Sequence, residues 1–384
     1  MDLRLNELKN WLQHHLKDFA PSVSTDSSLT IAPVSGDASF RRYFRVSIGG
    51  NNAPADNRSW IAMDAPPEKE NSEPFVAVAT FWRAKGLNVP EILLSDLPKG
   101  FLLLSDFGDS LLLNQLNDEN ADILYQRCMD DLLVIQSSFR KTSHPVTQPD
   151  TPQLFLPPYD HLLLRREMQL FTDWLVTKKL GYAMKPDETD LLDDTFQLLI
   201  HSALHQPQVP VHRDYHSRNI MLVEGDATLD DRDFQLGHLD FQDAVSGPIS
   251  YDLVSLLRDC YIRWPKKRVD EWVSYYYRQA TKSGLLDADP DQFTRWFDLM
   301  GIQRHLKASG IFARLSLRDG KHGYLNDIPL TLSYIESVSA RYPELAEFRR
   351  WLSDVILPRL SQINSDTRNQ KGRQKEHQKE PHSQ

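Results

Sequence analysis

Two short stretches limit what this chain can fold into: His212-Arg213-Asp214-Tyr215-His216-Ser217-Arg218-Asn219 and, further on, Leu239-Asp240-Phe241. In the first, an aspartate and an asparagine stand in a D-x-x-x-x-N arrangement. An ordered loop of that length can hold a carboxylate toward an attacking hydroxyl and a carboxamide toward a metal on the group under attack. Asp240 adds a hard carboxylate oxygen of the kind Mg2+ prefers. Together they read as the catalytic loop and metal-binding strand of a phosphoryl-transfer enzyme. A lone H-x-D is ordinarily a surface turn, so the flanking pattern matters. An apolar helical stretch, Leu191 to Leu204, and the run Val209-Pro210-Val211 lead into the loop. Ile220-Met221-Leu222-Val223 reads as a strand directly after Asn219, and Gln235 to Phe241 reads as another. Paired as a hairpin, the two return Asp240 beside Asn219. Glu224 to Phe234 is long and acidic for a hairpin tip and reads as a solvated insertion.

At 384 residues the chain is long enough for two lobes with separate cores. Its formal charge of −9 argues against a broad electrostatic grip on nucleic acid or an anionic membrane. Cys128 and Cys260 stand outside any metal-ligand array, so buried reduced thiols are expected and a structural zinc is not. No stretch approaches the roughly 18 apolar residues that span a bilayer. The N-terminus lacks a secretion signature, so a cytoplasmic location is expected. Leu5, Leu8, Leu12, Leu16 and Phe19 recur at three- and four-residue steps, one face of an amphipathic helix over residues 1–20. Its polar face mixes both signs of charge, which favours packing on the domain over lying on a membrane.

The architecture expected is α+β, with a small strand-rich lobe over residues 21–107 and a larger, mainly helical lobe over 108–363. In the first, strands are expected at Ile31–Val34, Arg41–Ile48, Trp60–Met63, Ile92–Leu94 and Phe101–Leu104, with a helix from Pro74 to Lys85. In the second, helices are expected near 120–140, 160–178, 187–204, 250–262, 268–282, 290–313, 329–341 and 344–361. Residues 364–384 are almost free of apolar side chains and cannot offset their ordering entropy by burial, so a disordered tail is expected. A cleft between two such lobes is a common place for a nucleotide. Ser105 and Phe107, in the segment Leu104 to Asp109, are the expected adenine contacts.

Three blocks carry a family resemblance: Gly36-Asp-Ala-Ser-Phe-Arg-Arg-Tyr-Phe44, the loop His212 to Asn219, and Leu239-Asp-Phe-Gln-Asp-Ala-Val-Ser-Gly-Pro-Ile-Ser-Tyr-Asp-Leu253. They resemble the aminoglycoside phosphotransferase and choline kinase superfamily, whose fold is the bilobal protein-kinase-like one. Within it they look like the bacterial anomeric kinases of N-acetylmuramate and N-acetylglucosamine, which act in cell-wall recycling. The resemblance implies ATP and Mg2+. It makes Asp214 the residue that accepts or orients the proton of the sugar hydroxyl, and Asn219 and Asp240 the metal ligands. Gly36, Asp37, Ala38 and Ser39 would cover the phosphates with backbone N–H groups. His212 would brace the loop, and Asp252 would anchor it from below, although a first-turn helix charge would look the same.

One departure matters. The family carries a phosphate-binding lysine on the strand at Trp60–Met63, where this chain has Met63-Asp64, and the nearest lysine, Lys69, follows two prolines. Arg41, Arg42 and Arg45 are candidate substitutes, with Arg42 favoured, and Glu73 could be the ion-pair partner on the next helix. His216, Arg218, Gln242 and Asp243 could reach an acceptor sugar. Arg258, Arg263, Arg304 and Arg314 are candidates for a substrate carboxylate. The expected partners are ATP and a small amino sugar, met by a monomer without nucleic acid or membrane. Two other readings stand beside this one: a kinase of an aminoglycoside or amino alcohol, and a nucleotide-binding module without catalysis.

Overall fold

Alternating apolar residues in the N-terminal region become a sheet. In the computed structural model, which describes residues 2–21, 28–34, 40–49, 59–139, 154–224 and 234–362, the strands are β1 (Ser28–Pro33), β2 (Arg42–Gly49), β3 (Ser59–Asp64), β4 (Ile92–Asp96) and β5 (Phe101–Ser105). They are antiparallel and run in the order β1-β2-β3-β5-β4. Phe44, Val46 and Ile48 of β2, Trp60 and Ala62 of β3, and Phe101 and Leu103 of β5 share a core, as a period of two requires. α1 (Leu3–His14) and α2 (Leu16–Phe19) contribute Leu8, Trp11, Leu12 and Leu16 to it. Each large apolar side chain buried there contributes about 2 kcal/mol. The N-terminal amphipathic helix therefore packs on protein. It is interrupted at His15, where φ is −94° and ψ 11°, and α2 continues the same apolar face.

The chain divides into two units, one formed by Met1–Pro157 and Val209–Ser246, the other by Pro158–Gln208 and Gly247–Gln384. The first unit holds the sheet together with α3 (Glu73–Ala84), α4 (Leu112–Gln115) and α5 (Ala121–Ser137). β6 (Gln208–Val211) leads into the loop at 212, and β7 (Ile220–Glu224) and β8 (Phe234–His238) follow.

The second unit is helical: α6 (His161–Leu170), α7 (Pro186–Leu204), α8 (Tyr251–Leu257), α9 (Lys266–Lys282), α10 (Pro290–Arg318), α11 (Ile328–Ser339) and α12 (Ala346–Trp351). α6 runs on through π-helical turns at Phe171–Lys179. α10 is 29 residues long and packs against α6, α7, α8 and α11. Gly310 lets it lie on the backbone of α6: a Cβ there would meet the carbonyl carbon of Leu170 at 2.2 Å. The helix expected over 250–262 stops at Leu257, because Arg258 leaves helical geometry (φ −121°, ψ 50°) and turns its guanidinium to the buried Asp298 at 2.5 Å. No helix among the described residues is long and apolar enough to cross a membrane.

Candidate active site

The hairpin forms in the expected register. β7 and β8 pair from Ile220↔His238 to Glu224↔Phe234, and one further bond, Leu239 N–H to Asn219 O at 2.9 Å, carries the pairing down to the motif. Asp240 thereby lands next to Asn219, with Nδ2 and Asp240 Oδ2 3.4 Å apart. The same Nδ2 donates to the Asp214 carbonyl at 3.0 Å, and Gln242 Nε2 donates to Asp240 Oδ1 at 2.7 Å. Asp214, Asn219 and Asp240, distant or merely spaced in sequence, thus share one small region.

The loop that carries them is fixed from several directions. His216 N–H donates to Asp214 O at 3.0 Å and Asn219 N–H to His216 O at 2.9 Å. Leu113 N–H of α4 donates to Ser217 O at 3.0 Å, and the buried Tyr215 hydroxyl donates to Cys128 O of α5 at 2.8 Å. His238 stacks on Tyr215 and faces Asp131 at 2.8 Å. Among the described residues, Arg213 (φ 75°) and Asp240 (φ 64°) are the non-glycine residues with positive φ. Such backbone costs on the order of 1–3 kcal/mol each and persists where surroundings over-determine it. Here both strained residues belong to the two motif stretches.

Helix α3 is keyed to the same stretches. Phe241 is fully buried, 4.9 Å from Phe75 and 5.8 Å from Trp82 between ring centroids. Trp82 also stacks on His212 at 5.8 Å. His212 Nδ1 accepts the Asp214 N–H at 3.3 Å, which braces the loop. Burial pushes His212 down to about 3, against a smaller opposing pull from Asp214, so the ring is neutral at working pH and supplies no proton. His305, fully buried in the second unit, is likewise pushed down to about 3 by burial. In the unfolded chain both would protonate at an ordinary value of 6.5. Their contribution to stability is therefore full above pH 6.5 and is lost as pH falls toward 3. The slope approaches about 1.4 kcal/mol per pH unit for each. Urea midpoints should drop between about pH 7.5 and pH 5, and His305→Gln should flatten that dependence.

The expected nucleotide contacts fare unevenly. Gly36, Asp37, Ala38 and Ser39 lie outside the described residues, as does the expected tail. Arg42 is engaged by two carboxylates, Asp2 and Asp64, the latter through Nε at 3.0 Å. Arg4 of α1 approaches Asp64 from the other oxygen at 2.5 Å. Asp64, at the end of β3, is thus a fully buried acid held between two guanidinium groups. Arg45 faces Asp106 at 2.6 Å and Asp109 at 2.9 Å. Arg41 pairs with Glu70 at 3.0 Å, so among the described residues it is Glu70, rather than Glu73, that holds this arginine. Nothing in its spacing singled it out.

Ser105 N–H donates to Glu91 O at 3.0 Å, and its hydroxyl oxygen accepts the Glu91 N–H at 2.9 Å. Phe107 lies on Gly237, where a Cβ would come within 2.5 Å of the ring. Of the expected acceptor contacts, His216 and Gln242 are buried beside the motif, whereas Arg218 and Asp243 are exposed. The Asp243 carbonyl accepts from Arg213 at 3.2 Å. Asp252 is fully buried in the first turn of α8, in the second unit. Of the candidate carboxylate-binding arginines, Arg258 is held by Asp298 and Arg304 donates to Ser255.

The chain is similar to known proteins over most of its length. The N-acetylmuramate/N-acetylglucosamine kinase of Pseudomonas putida is 42% identical over 359 residues, which cover 92% of this chain and 97% of that protein. A protein of the same name from Neisseria meningitidis is 38% identical over 351 residues, 91% and 95% of the two chains. Among solved structures, the ethanolamine kinase of Plasmodium vivax aligns with a TM-score of 0.56 at 14% identity, covering 85% of this chain and 86% of that one. That likeness shows the protein-kinase-like fold, a strand-rich N-terminal region followed by a helical part. Residues 30–292 match the phosphotransferase enzyme family, and the chain belongs to that family.

Proposed function

We propose that this phosphotransferase moves the terminal phosphoryl group of ATP to the anomeric C1 hydroxyl of N-acetylmuramate, N-acetylglucosamine or both, in the recycling of cell-wall amino sugars. The observation that carries the acceptor is the 42% identity, over nearly the whole of both chains, to a protein named for those two sugars. The placement of Asp214, Asn219 and Asp240 supports the chemistry. Asp214 orients the sugar hydroxyl and takes its proton as the oxygen attacks phosphorus; ADP leaves from the opposite side. Asn219 and Asp240 are hard oxygen donors side by side, a set that suits Mg2+. Gln242 fixes one Asp240 oxygen, and the bond from Asn219 Nδ2 to the Asp214 carbonyl leaves Asn219 Oδ1 as its ligand atom. When bound, Mg2+ neutralises charge on the phosphates. His216, Arg218, Gln242 and Asp243 line the acceptor side, and Phe107 meets the base. The reaction runs in the cytoplasm, where ATP is found, in a monomer without nucleic-acid or membrane partners.

Product NMR with ATP, Mg2+ and each sugar tests this reading. A phosphate on C1, formed in step with ADP, is expected. ATP consumption without a phosphorylated sugar would overturn it, and transfer to choline, ethanolamine or an aminoglycoside instead would reassign the acceptor.

A further inference from the structure

β3 ends in an acid, Asp64, so the phosphates of the proposed nucleotide need a positive charge from elsewhere. Asp64 is not an empty substitution: held by Arg4 and Arg42, it ties β3 to the N-terminal helix. The cations around this sheet are nearly all engaged by carboxylates. Arg41 faces Glu70, Arg42 faces Asp2 and Asp64, Arg45 faces Asp106 and Asp109, Arg83 faces Glu91, and Lys99 faces Asp96. Lys69 differs. It is exposed, and among the described residues it makes no ion pair; its ammonium lies over the ring of Phe40, 4.5 Å from the centroid.

Its backbone, by contrast, is held on every side. The N–H groups of Lys69 and Glu70 both donate to Pro66 O at 2.9 Å, and Ala65 N–H donates to Gly100 O at 2.8 Å. Gly100 (φ +73°) permits that approach, since a Cβ there would sit 1.8 Å from Ala65 O. Glu70 then clamps this segment to the start of β2, accepting the Phe40 N–H at 3.0 Å and pairing with Arg41. Shortly after it, Phe75 of α3 stacks on Phe241, next in the chain to Asp240. The segment that bears Lys69 is thus fastened at one end to the strand that begins at Arg42 and at the other to the proposed metal-binding strand.

We propose that Lys69 supplies positive charge for the nucleotide phosphates. The assignment rests on the ATP-dependent reading above. A flexible four-carbon stem on a rigid backbone suits a point charge that must reach a phosphate without bidentate geometry. Among the described residues this ammonium has no carboxylate to release, whereas each neighbouring arginine would have to break an ion pair first.

The test is calorimetric binding of ADP and of adenosine, with Mg2+, to the parent, Lys69→Ala, Lys69→Arg and Lys85→Ala. Lys85 is a second exposed lysine, just past the opposite end of α3, lying over Phe81 at 5.4 Å, and controls for general charge. Lys69→Ala should weaken ADP by roughly tenfold or more and leave adenosine unchanged. Lys69→Arg should recover most of the loss, and Lys85→Ala should match the parent. ADP binding by Lys69→Ala within about twofold of the parent, an equal loss of adenosine, or an equal loss in Lys85→Ala would each overturn the proposal. If the parent binds ADP with the expected Lys69 dependence but phosphorylates no sugar, the acceptor reading fails and the Lys69 assignment stands. A parent that binds no ADP overturns both.

Discussion

Replacing Asp214 by alanine is expected to lower turnover roughly a hundred- to ten-thousandfold while nucleotide affinity stays within a few-fold of the parent. The reasoning is positional. The Asp214 side chain is half-exposed at the mouth of the loop, whereas its backbone does the structural work, its carbonyl accepting from His216 N–H and Asn219 Nδ2. Its N–H rests on His212 Nδ1. Removing the carboxylate therefore leaves these backbone bonds in place and takes away the proposed proton acceptor. Each factor of ten corresponds to about 1.36 kcal/mol of barrier, so the expected loss lies near 3–5 kcal/mol. Asp214→Asn should behave alike, since a carboxamide of the same shape cannot accept the proton. Turnover of Asp214→Ala within a few-fold of the parent would remove Asp214 from the mechanism. His212 cannot take over, because burial keeps its ring neutral down to about pH 3 and its Nδ1 is already an acceptor for the loop.

How much of this was legible in the sequence follows from how local each feature is. The hairpin at 220–238 could be read because apolar strand residues stand on both sides of a polar connection, and its register follows once Leu239 pairs with Asn219. α3 was legible in the spacing of Phe75, Val78, Ala79 and Trp82, all buried as expected. What that helix packs on was not legible, because the stacks on Phe241 and His212 bridge residues far apart in the chain. The fate of Arg42 was hidden for the same reason. Its partners Asp2 and Asp64 come from the N-terminal helix and a neighbouring strand, and nothing in strand alternation announces them. Helix ends were legible where composition ends them. They were not where a buried ion pair does so, as at Arg258 with Asp298, which cuts short the helix expected to reach residue 262. The positive φ of Arg213 has no composition signal, since glycine, asparagine or aspartate is the usual marker, and the aspartate at 240 is only a weak one.

That backbone decides how Asp240 should be tested. At φ 64° alanine would add strain of its own, whereas asparagine tolerates the left-handed region nearly as well as aspartate. Asp240→Asn therefore removes charge while keeping shape; its one oxygen can keep the 2.7 Å bond from Gln242, at the cost of the longer 3.4 Å contact from Asn219. Phe241 keeps its place against Phe75 and Trp82, so the fold should hold and thermal midpoints should stay within a few degrees of the parent. Activity should not hold. With Asp240 as the proposed metal ligand, loss of its charge should weaken Mg2+ and, with it, the nucleotide. Turnover at ordinary Mg2+ is expected to fall by roughly a thousandfold, in the range seen when a single electrostatic contact to a transition state is removed. Unlike the loss in Asp214→Ala, part of it should return when Mg2+ is raised, and ADP binding should weaken in the same variant. Turnover measured against Mg2+ concentration separates the two residues. If Asp240→Asn showed the parent's Mg2+ dependence, or if Asp214→Ala shifted it instead, the division between a proton acceptor and a metal ligand would be wrong. The contact between Asn219 and Asp240 would then be a structural bond that ties the hairpin to the loop.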